Sequence, residues 1–158
     1  MSTNVLGPLI CCREAAKRMP RGSTIVNLGS ISTKAGSPLI YAMTKGALMS
    51  MQRGLVPTLG AKGIRINTVS PGLVVTDMTT ELFQDPAIRA AVKTQYPLGR
   101  FGAPEDIAGA VSYLCSDDAA WTSGTDLLAS RAASFRSECK WWPVYCMGYE
   151  AHGTHTQL

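Results

Sequence analysis

The sequence contains neither a long apolar run nor a block of like charge. None of its uninterrupted apolar runs approaches the roughly 18 residues that a membrane-spanning helix needs, so we expect no membrane partner. Its 15 Lys and Arg residues are scattered along the chain, which gives no support to a nucleic-acid partner. Charged residues make up 16% and hydrophobic residues 46%, proportions that exclude wholesale disorder and indicate an ordinary globular chain.

The sequence also has few cysteines and no paired-cysteine motif. The count of five is odd, and no secretory segment is recognisable at Met1, so we expect reduced thiols and a cytoplasmic protein. Near the C-terminus, Cys139, Cys146, His152 and His155 are residue types that bind zinc. The Cys-x-x-Cys spacing of structural zinc sites is missing, and we therefore predict no metal site.

What the sequence does contain is an alternation between helical and strand periodicity. The predicted elements are, in order, helix 4–19, strand 23–30, helix 38–56, strand 63–72, helices 85–95 and 103–116, and strand 125–129. This order is typical of an α/β protein, and it predicts a parallel sheet of about three strands with flanking helices.

Single residues indicate where the predicted helices begin and end. Asn4 can cap helix 4–19, and Pro8 falls in its first turns, where a missing N–H costs least. We expect Pro57 to stop or kink helix 38–56. Pro104 lies near the start of helix 103–116, where acidic residues also favour the positive end of the helix dipole.

The chain divides into two parts by composition. Residues 1–128 carry the alternating elements and are predicted to form one α/β domain. Residues 129–158 have no clear period and collect two of the three Trp and both His, so we predict an irregular tail. The abrupt change after Leu128 suggests the hypothesis of a different reading frame or an alternative exon.

One helix-face pair could carry chemistry. Tyr41 and Lys45 are four residues apart, so they share a helix face, and an ammonium close to a phenol favours the phenolate. Such a pair can pass a proton to or from a carbonyl or alcohol oxygen. Ser30 ends the strand before this helix and could hold the same oxygen. Taken alone, Tyr-x-x-x-Lys is common by chance and is equally compatible with a solvated helix face.

Five separate blocks, in order and spacing, resemble the short-chain dehydrogenase/reductase family. The resemblance covers residues 1 to about 128. It implies a partial Rossmann-type, doubly wound parallel sheet and hydride transfer between NAD or NADP and a small-molecule alcohol or carbonyl substrate. The blocks are "TNVLG" (3–7), "IVNLGS" (25–30), "YAMTK" (41–45), "GIRINTVSPGLVVTDM" (63–78) and "PLGRFGAPEDIAGAVSYLCSDDAAWTSGTDL" (97–127).

The resemblance assigns catalytic roles to four residues. Tyr41 would be the acid/base, and Lys45 would favour its phenolate and hydrogen-bond the nicotinamide ribose. Ser30 would orient the substrate oxygen, and Asn4 would anchor a water in the proton relay to the lysine. As an alternative, Asn4 is only a helix cap.

The resemblance also assigns the nicotinamide end of the cofactor site. The turn at Pro71 and Gly72 would let the backbone approach the cofactor. Val74 would contact the carboxamide through its main chain, and Thr76 would do so through its hydroxyl. As alternatives, Pro71 and Gly72 form only a turn, and Thr76 caps the helix that follows it.

The sequence departs from the family pattern in two places. It has no Gly-rich turn to cradle a pyrophosphate, and Asn4 stands three residues from Met1. We therefore expect only the C-terminal half of the family's fold, without the residues that choose between NAD and NADP. In addition, Ser30 precedes Tyr41 by eleven residues, a position or two fewer than is usual in the family, and Ser32 is closer still.

Two functions from different classes follow from these observations. The first is an NAD(P)(H)-dependent oxidoreductase that is impaired in this chain because the adenosine site is missing. The second is a catalytically silent fragment that serves as a dimerisation or interaction module. For either one, the resemblance implies a homo-oligomer that forms through helices 4–19 and 38–56.

Overall fold

A parallel three-stranded sheet organises the protein, of which the computed structural model describes residues 1–36, 38–95 and 98–130. The strands are β1 (Thr24–Leu28), β2 (Arg65–Pro71) and β3 (Asp126–Ala129), in the order β1-β2-β3. Asn27 pairs with Thr68, and Thr68 pairs in turn with Asp126. The predicted parallel sheet of three strands is confirmed.

The helices lie on both faces of this sheet. They are α1 (Gly7–Ala15), α2 (Ser32–Ala35), α3 (Leu39–Ala61), α4 (Pro86–Gln95) and α5 (Pro104–Cys115). A π-helix, Ser2–Leu6, precedes α1, and two 3₁₀ turns occupy Leu82–Gln84 and Asp117–Ala119. The sequence patterns missed α2 and both 3₁₀ turns, because segments of three or four residues have too few positions to show a period.

The central strand β2 is buried on both faces, and its successive residues serve two separate cores. Ile66 packs with Cys12 of α1 and Leu59 of α3. Val69, whose side chain projects from the opposite face of the strand, packs with Leu114 of α5. The resulting layers of helix, sheet and helix confirm the doubly wound arrangement.

The predicted N-cap role of Asn4 is wrong, because the chain is already helical before it. The Val5 and Leu6 N–H groups both donate to the Met1 carbonyl, at 3.0 and 3.4 Å, so Asn4 lies inside the π-helix Ser2–Leu6. In an α-helix the N–H of residue 8 would donate to the Asn4 carbonyl. Pro8 has no N–H, so this hydrogen bond is absent. The predicted position of Pro8 in the first turn of α1 is confirmed.

Of the two effects predicted for Pro57, a stop of its helix or a kink, the stop is wrong, since α3 continues to Ala61. A proline inside a helix costs about 3 kcal/mol. Beyond it, Leu59 is only 1% exposed, and Leu55 and Val56 pack against the same core. Full burial of a side chain such as Leu59 contributes about 1.5–3 kcal/mol, which is comparable to the cost of the proline.

The start of α5 follows its sequence signals. Pro104 occupies the first turn, and the Asp106 carboxylate accepts a hydrogen bond of 2.7 Å from the Ala103 N–H. Arg100 donates to the same carboxylate at 2.6 and 2.8 Å. Because both donors favour the charged carboxylate, Arg100 foremost, the pKa of Asp106 lies well below its usual range.

Most of the predicted tail lies outside the described residues. This applies to residues 131–158, and therefore to the predicted irregular structure there and to Cys139, Cys146, His152 and His155. Within the described part of the chain, Cys11, Cys12 and Cys115 are free thiols. In the same part, no helix has the length and apolar character needed to cross a membrane.

Candidate active site

The predicted site residues gather at the carboxyl edge of the sheet. Beyond β1, the Gly29 N–H donates to the Val69 carbonyl at 2.8 Å, and the Ile31 N–H donates to the Pro71 carbonyl at 3.1 Å. These two bonds bring Ser30 alongside the end of β2. A Cβ at Gly29 would lie 2.5 Å from the Ser70 Oγ, so this close approach requires glycine.

Lys45 connects the first turns of α3 to the end of β1. Its Nζ donates a hydrogen bond of 2.9 Å to the Leu28 carbonyl and lies 5.7 Å from the centre of the Tyr41 ring. Partial burial lowers the pKa of Lys45, because the charged ammonium loses contact with water. Tyr41 is 38% exposed, so a ligand at this edge can reach it.

Asn4 is bound to the same helix, one residue before Lys45. Its Nδ2 donates to the Thr44 hydroxyl at 3.3 Å, and that hydroxyl donates to the Tyr41 carbonyl at 2.8 Å. Thr44 is 4% exposed, and sequence reasoning missed its part in the site. The only sequence signal was the position of Thr44 three residues after Tyr41. At this spacing in a helix, a threonine hydroxyl can donate to the backbone carbonyl of the earlier residue.

Ser30 is held by a second serine. Its hydroxyl donates to the Ser32 Oγ at 3.1 Å and accepts a hydrogen bond from the Ser32 N–H, also at 3.1 Å. Both side chains are buried. Ser32, which the sequence had marked only as closer to Tyr41, therefore fixes the rotamer of Ser30 and opens α2.

The predicted cofactor loop leaves the sheet after Pro71. The Gly72 N–H donates to the Ala129 carbonyl at 3.0 Å, so the turn stays next to β3. Val74 then forms an isolated parallel β-bridge with Gly102. In this bridge the Gly102 N–H donates to the Leu73 carbonyl, and the Val75 N–H donates to the Gly102 carbonyl. Since peptide groups alternate along a strand, the N–H and carbonyl of Val74 itself point away from Gly102.

Thr76 follows this bridge in an exposed turn. Its N–H donates to the Thr79 hydroxyl at 2.9 Å, and the two hydroxyl oxygens are 3.2 Å apart. Regular helix does not resume here before the 3₁₀ turn at Leu82–Gln84. The alternative in which Thr76 caps a following helix therefore fails, because the capping side chain of this turn is Thr79.

The fold is that of an α/β protein, and the predicted site residues lie at the carboxyl ends of its strands. A family model described as enoyl-(acyl carrier protein) reductase matches residues 1–131. Since this match covers most of the chain, the protein belongs to the short-chain dehydrogenase/reductase family, as its sequence blocks predicted.

Known members of the family are similar in sequence and in structure. An uncharacterised oxidoreductase of Methylorubrum extorquens is 42% identical over 130 residues, which cover 80% of this chain and 52% of that protein. A 4-hydroxyisoleucine dehydrogenase complexed with NADH has a TM-score of 0.75 at 31% identity, with 81% of this chain and 55% of that chain covered. An angucycline C-6 ketoreductase with bound NADP has a TM-score of 0.71 at 34% identity, with 80% and 49% covered.

The matches cover most of this chain but only about half of each curated relative. The chain spans about half the length of the curated relatives it matches, 52% and 53% for the first two. The shared part contains the carboxyl edge described above, since the family match runs from residue 1 to residue 131.

Proposed function

We propose that this chain supplies the catalytic and nicotinamide-binding part of an NAD(P)(H)-dependent oxidoreductase, which transfers a hydride between nicotinamide and a carbonyl or secondary alcohol. The observation that carries the proposal is the position of Lys45. Its ammonium lies at the end of β1 and close to the Tyr41 ring, at the sheet edge where α/β proteins bind ligands.

The chain's own residues handle the proton in this proposal. Tyr41, with the Lys45 ammonium beside its ring, gives its hydroxyl proton to the carbonyl oxygen of the substrate or takes a proton from an alcohol. Ser30, whose oxygen accepts from the Ser32 N–H, turns its hydroxyl hydrogen from the Ser32 Oγ to the same substrate oxygen. Asn4, anchored on Thr44 next to Lys45, holds the water that returns protons to the lysine.

The loop after β2 fits the carboxamide of a nicotinamide. The Val74 carbonyl accepts from the Thr79 hydroxyl, whereas the Val74 N–H points away from Gly102 and Thr76 is exposed. The Val74 N–H and the Thr76 hydroxyl are therefore the two groups that this proposal assigns to a primary amide. When bound, the nicotinamide supplies or accepts the hydride. The solved relatives that contain NADH or NADP support either dinucleotide.

We further propose that the chain corresponds to the C-terminal half of the family's fold. Its coverage of about half of each curated relative supports this, as does the lack of a Gly-rich turn in the 158 residues. The chain then has no site for the adenosine end of a dinucleotide, and we expect negligible turnover from it alone. The free thiols of Cys11, Cys12 and Cys115 support a cytoplasmic location.

Titration with cofactor pieces tests both parts of this proposal. Reduced nicotinamide mononucleotide carries the nicotinamide end alone, whereas NADH and NADPH add the adenosine end. We expect all three to bind with affinities within about threefold of one another in calorimetry or ligand-observed NMR. Failure of the mononucleotide to bind would refute the nicotinamide site. Binding of NADH about a hundredfold more tightly would refute only the half-fold assignment.

A second candidate function, homo-oligomerisation, is favoured by the surfaces of α1 and α3. Large apolar side chains are exposed on both helices, up to 65% for Leu39 and 64% for Ile40. We propose that a second copy of the chain covers this surface, which we call the α1/α3 face. Its described members are Leu9, Ile10, Leu39, Ile40 and Met43. If the chain is catalytically silent, formation of this homo-oligomer would be its function.

A further inference from the structure

The hydroxyl of Thr79 is the centre of the hydrogen bonds in the proposed cofactor loop. Its Oγ1 lies 2.6 Å from the Val74 carbonyl oxygen, 2.9 Å from the Thr76 backbone nitrogen and 3.2 Å from the Thr76 Oγ1. It is also 3.1 Å from the Thr76 carbonyl oxygen. The family resemblance assigned no role to Thr79.

The direction of each of these bonds follows from the capacity of a hydroxyl, which has one hydrogen and two acceptor lone pairs. The shortest contact of Thr79 is with the Val74 carbonyl, which can only accept, so the Thr79 hydrogen lies there. The Thr76 N–H can only donate, and it takes one lone pair. The remaining lone pair is left for the Thr76 hydroxyl, which therefore donates its hydrogen to Thr79.

Thr76 consequently presents only lone pairs to a ligand in the loop. A primary carboxamide has an NH₂ group that can donate to them, and its carbonyl oxygen can accept from the Val74 N–H, which points away from Gly102. A carboxylate has no hydrogen to donate and would place its oxygen against the Thr76 lone pairs.

We propose that Thr79 is a positioning residue that determines specificity: it orients the Thr76 hydroxyl as an acceptor, so that the site selects a nicotinamide amide over a nicotinic acid carboxylate. The proposal rests on the proposed function, because it presumes that this loop holds the nicotinamide end. It deepens that function by naming the group of the ligand that is recognised and the residue that sets the preference.

The same turn provides a matched control. The Thr80 hydroxyl donates to the Thr76 carbonyl at 2.9 Å, and it is not part of the bonds to Val74 or to the Thr76 hydroxyl. Thr80→Val therefore removes one threonine hydroxyl and one hydrogen bond from the turn but leaves the orientation of the Thr76 hydroxyl unchanged.

The test compares nicotinamide mononucleotide with nicotinic acid mononucleotide, which differ only in the amide and the carboxylate. Both are titrated into the full chain and its variants, and dissociation constants are measured by saturation-transfer NMR. We expect the wild-type chain to prefer the amide by about tenfold or more. Thr79→Val should reduce that ratio to about threefold or less, because the Thr76 hydroxyl is then free to donate. Thr79→Ser and Thr80→Val should keep it.

The ratio separates specificity from stability, since a folding defect weakens both ligands together. If Thr79→Val does not fold, the wild-type ratio and Thr76→Val carry the test, and Thr76→Val should lose the preference. The proposal about Thr79 is overturned if the folded Thr79→Val chain keeps the wild-type ratio, or if the wild type binds both mononucleotides equally. If the wild type binds neither, the proposed function fails, and this inference fails with it.

Discussion

The Nζ of Lys45 lies 2.9 Å from the carbonyl oxygen of Leu28, which is 17 residues earlier in the chain. This bond holds the beginning of α3 over the end of β1. It also keeps a partly buried ammonium next to the Tyr41 ring, at 5.7 Å from its centre. Lys45 therefore has two roles: it fixes α3 against β1, and it places a positive charge beside the proposed acid/base Tyr41.

Replacement of Tyr41 tests its proposed role in proton transfer. In a full-length enzyme that contains this segment, Tyr41→Phe should lower kcat by about 10²- to 10⁴-fold, because the acid/base hydroxyl is gone while the ring remains. Cofactor affinity should change much less. Steady-state kinetics and cofactor titration measure the two effects. Tyr113→Phe, on a helix packed against the opposite face of the sheet, is the control, and equal turnover of both variants would refute the role of Tyr41.

The lowered pKa of Lys45 predicts how stability depends on pH. The folded chain releases this proton at a lower pH than the unfolded chain, whose lysine titrates near 10.4, as in peptides. Between those two values the unfolded state binds more protons, so the stability of the wild type should rise with pH relative to Lys45→Met. Urea unfolding of both chains between pH 7 and about pH 10.5 measures the difference, and parallel curves would contradict it.

The Arg100–Asp106 ion pair predicts a dependence of the same sign at acid pH, because the folded state lowers the pKa of Asp106 as well. Since the folded state holds the pKa of Asp106 well below its usual range, the pair stabilises the chain above the ordinary aspartate value of about 3.9. As the pH falls below that value, this stabilisation is progressively lost. The melting temperatures of the wild type and Asp106→Asn should therefore differ at pH 7 and converge towards pH 2.

A neighbouring carboxylate provides the comparison for this pair. Glu105→Gln removes a negative charge from the same helical turn but leaves the Arg100–Asp106 hydrogen bonds in place. At pH 7 it should lower the melting temperature less than Asp106→Asn does. Equal losses would show that the helix dipole, not the ion pair, accounts for the effect.

The α1/α3 face predicts the oligomeric state. Ile40 is 64% exposed, and an aspartate there would place an unpaired charge between two copies of the chain. Ile40→Asp should therefore turn dimers into monomers in sedimentation equilibrium. Leu98→Asp is a matched change at a residue that is 73% exposed and lies outside the two helices, and it should leave the dimer intact. A monomeric wild type at micromolar concentration would contradict the proposed face.

Much of the architecture could be predicted from the sequence, because strand and helix periods are local properties. The three strands, the parallel order and the helical start at Pro104 all follow from apolar spacing and from residues with fixed backbone preferences. The positions of Tyr41 and Lys45 on one helix face follow from the same geometry. The five sequence blocks then sufficed to indicate the family to which the chain belongs.

Tertiary structure decided the features that depend on contacts between distant residues. Pro57 stays inside α3 because Leu59 packs against strands and helices that no local pattern specifies. Asn4 lies in a π-helix and binds Thr44, 40 residues away, instead of capping its own helix. Thr79 directs the Thr76 hydroxyl only because the loop folds back after the Val74 bridge. By itself the sequence determined which helices and strands form and which side chains are available for chemistry. The hydrogen-bond partners of those side chains were decided by tertiary packing, which brings together residues that are far apart in the sequence.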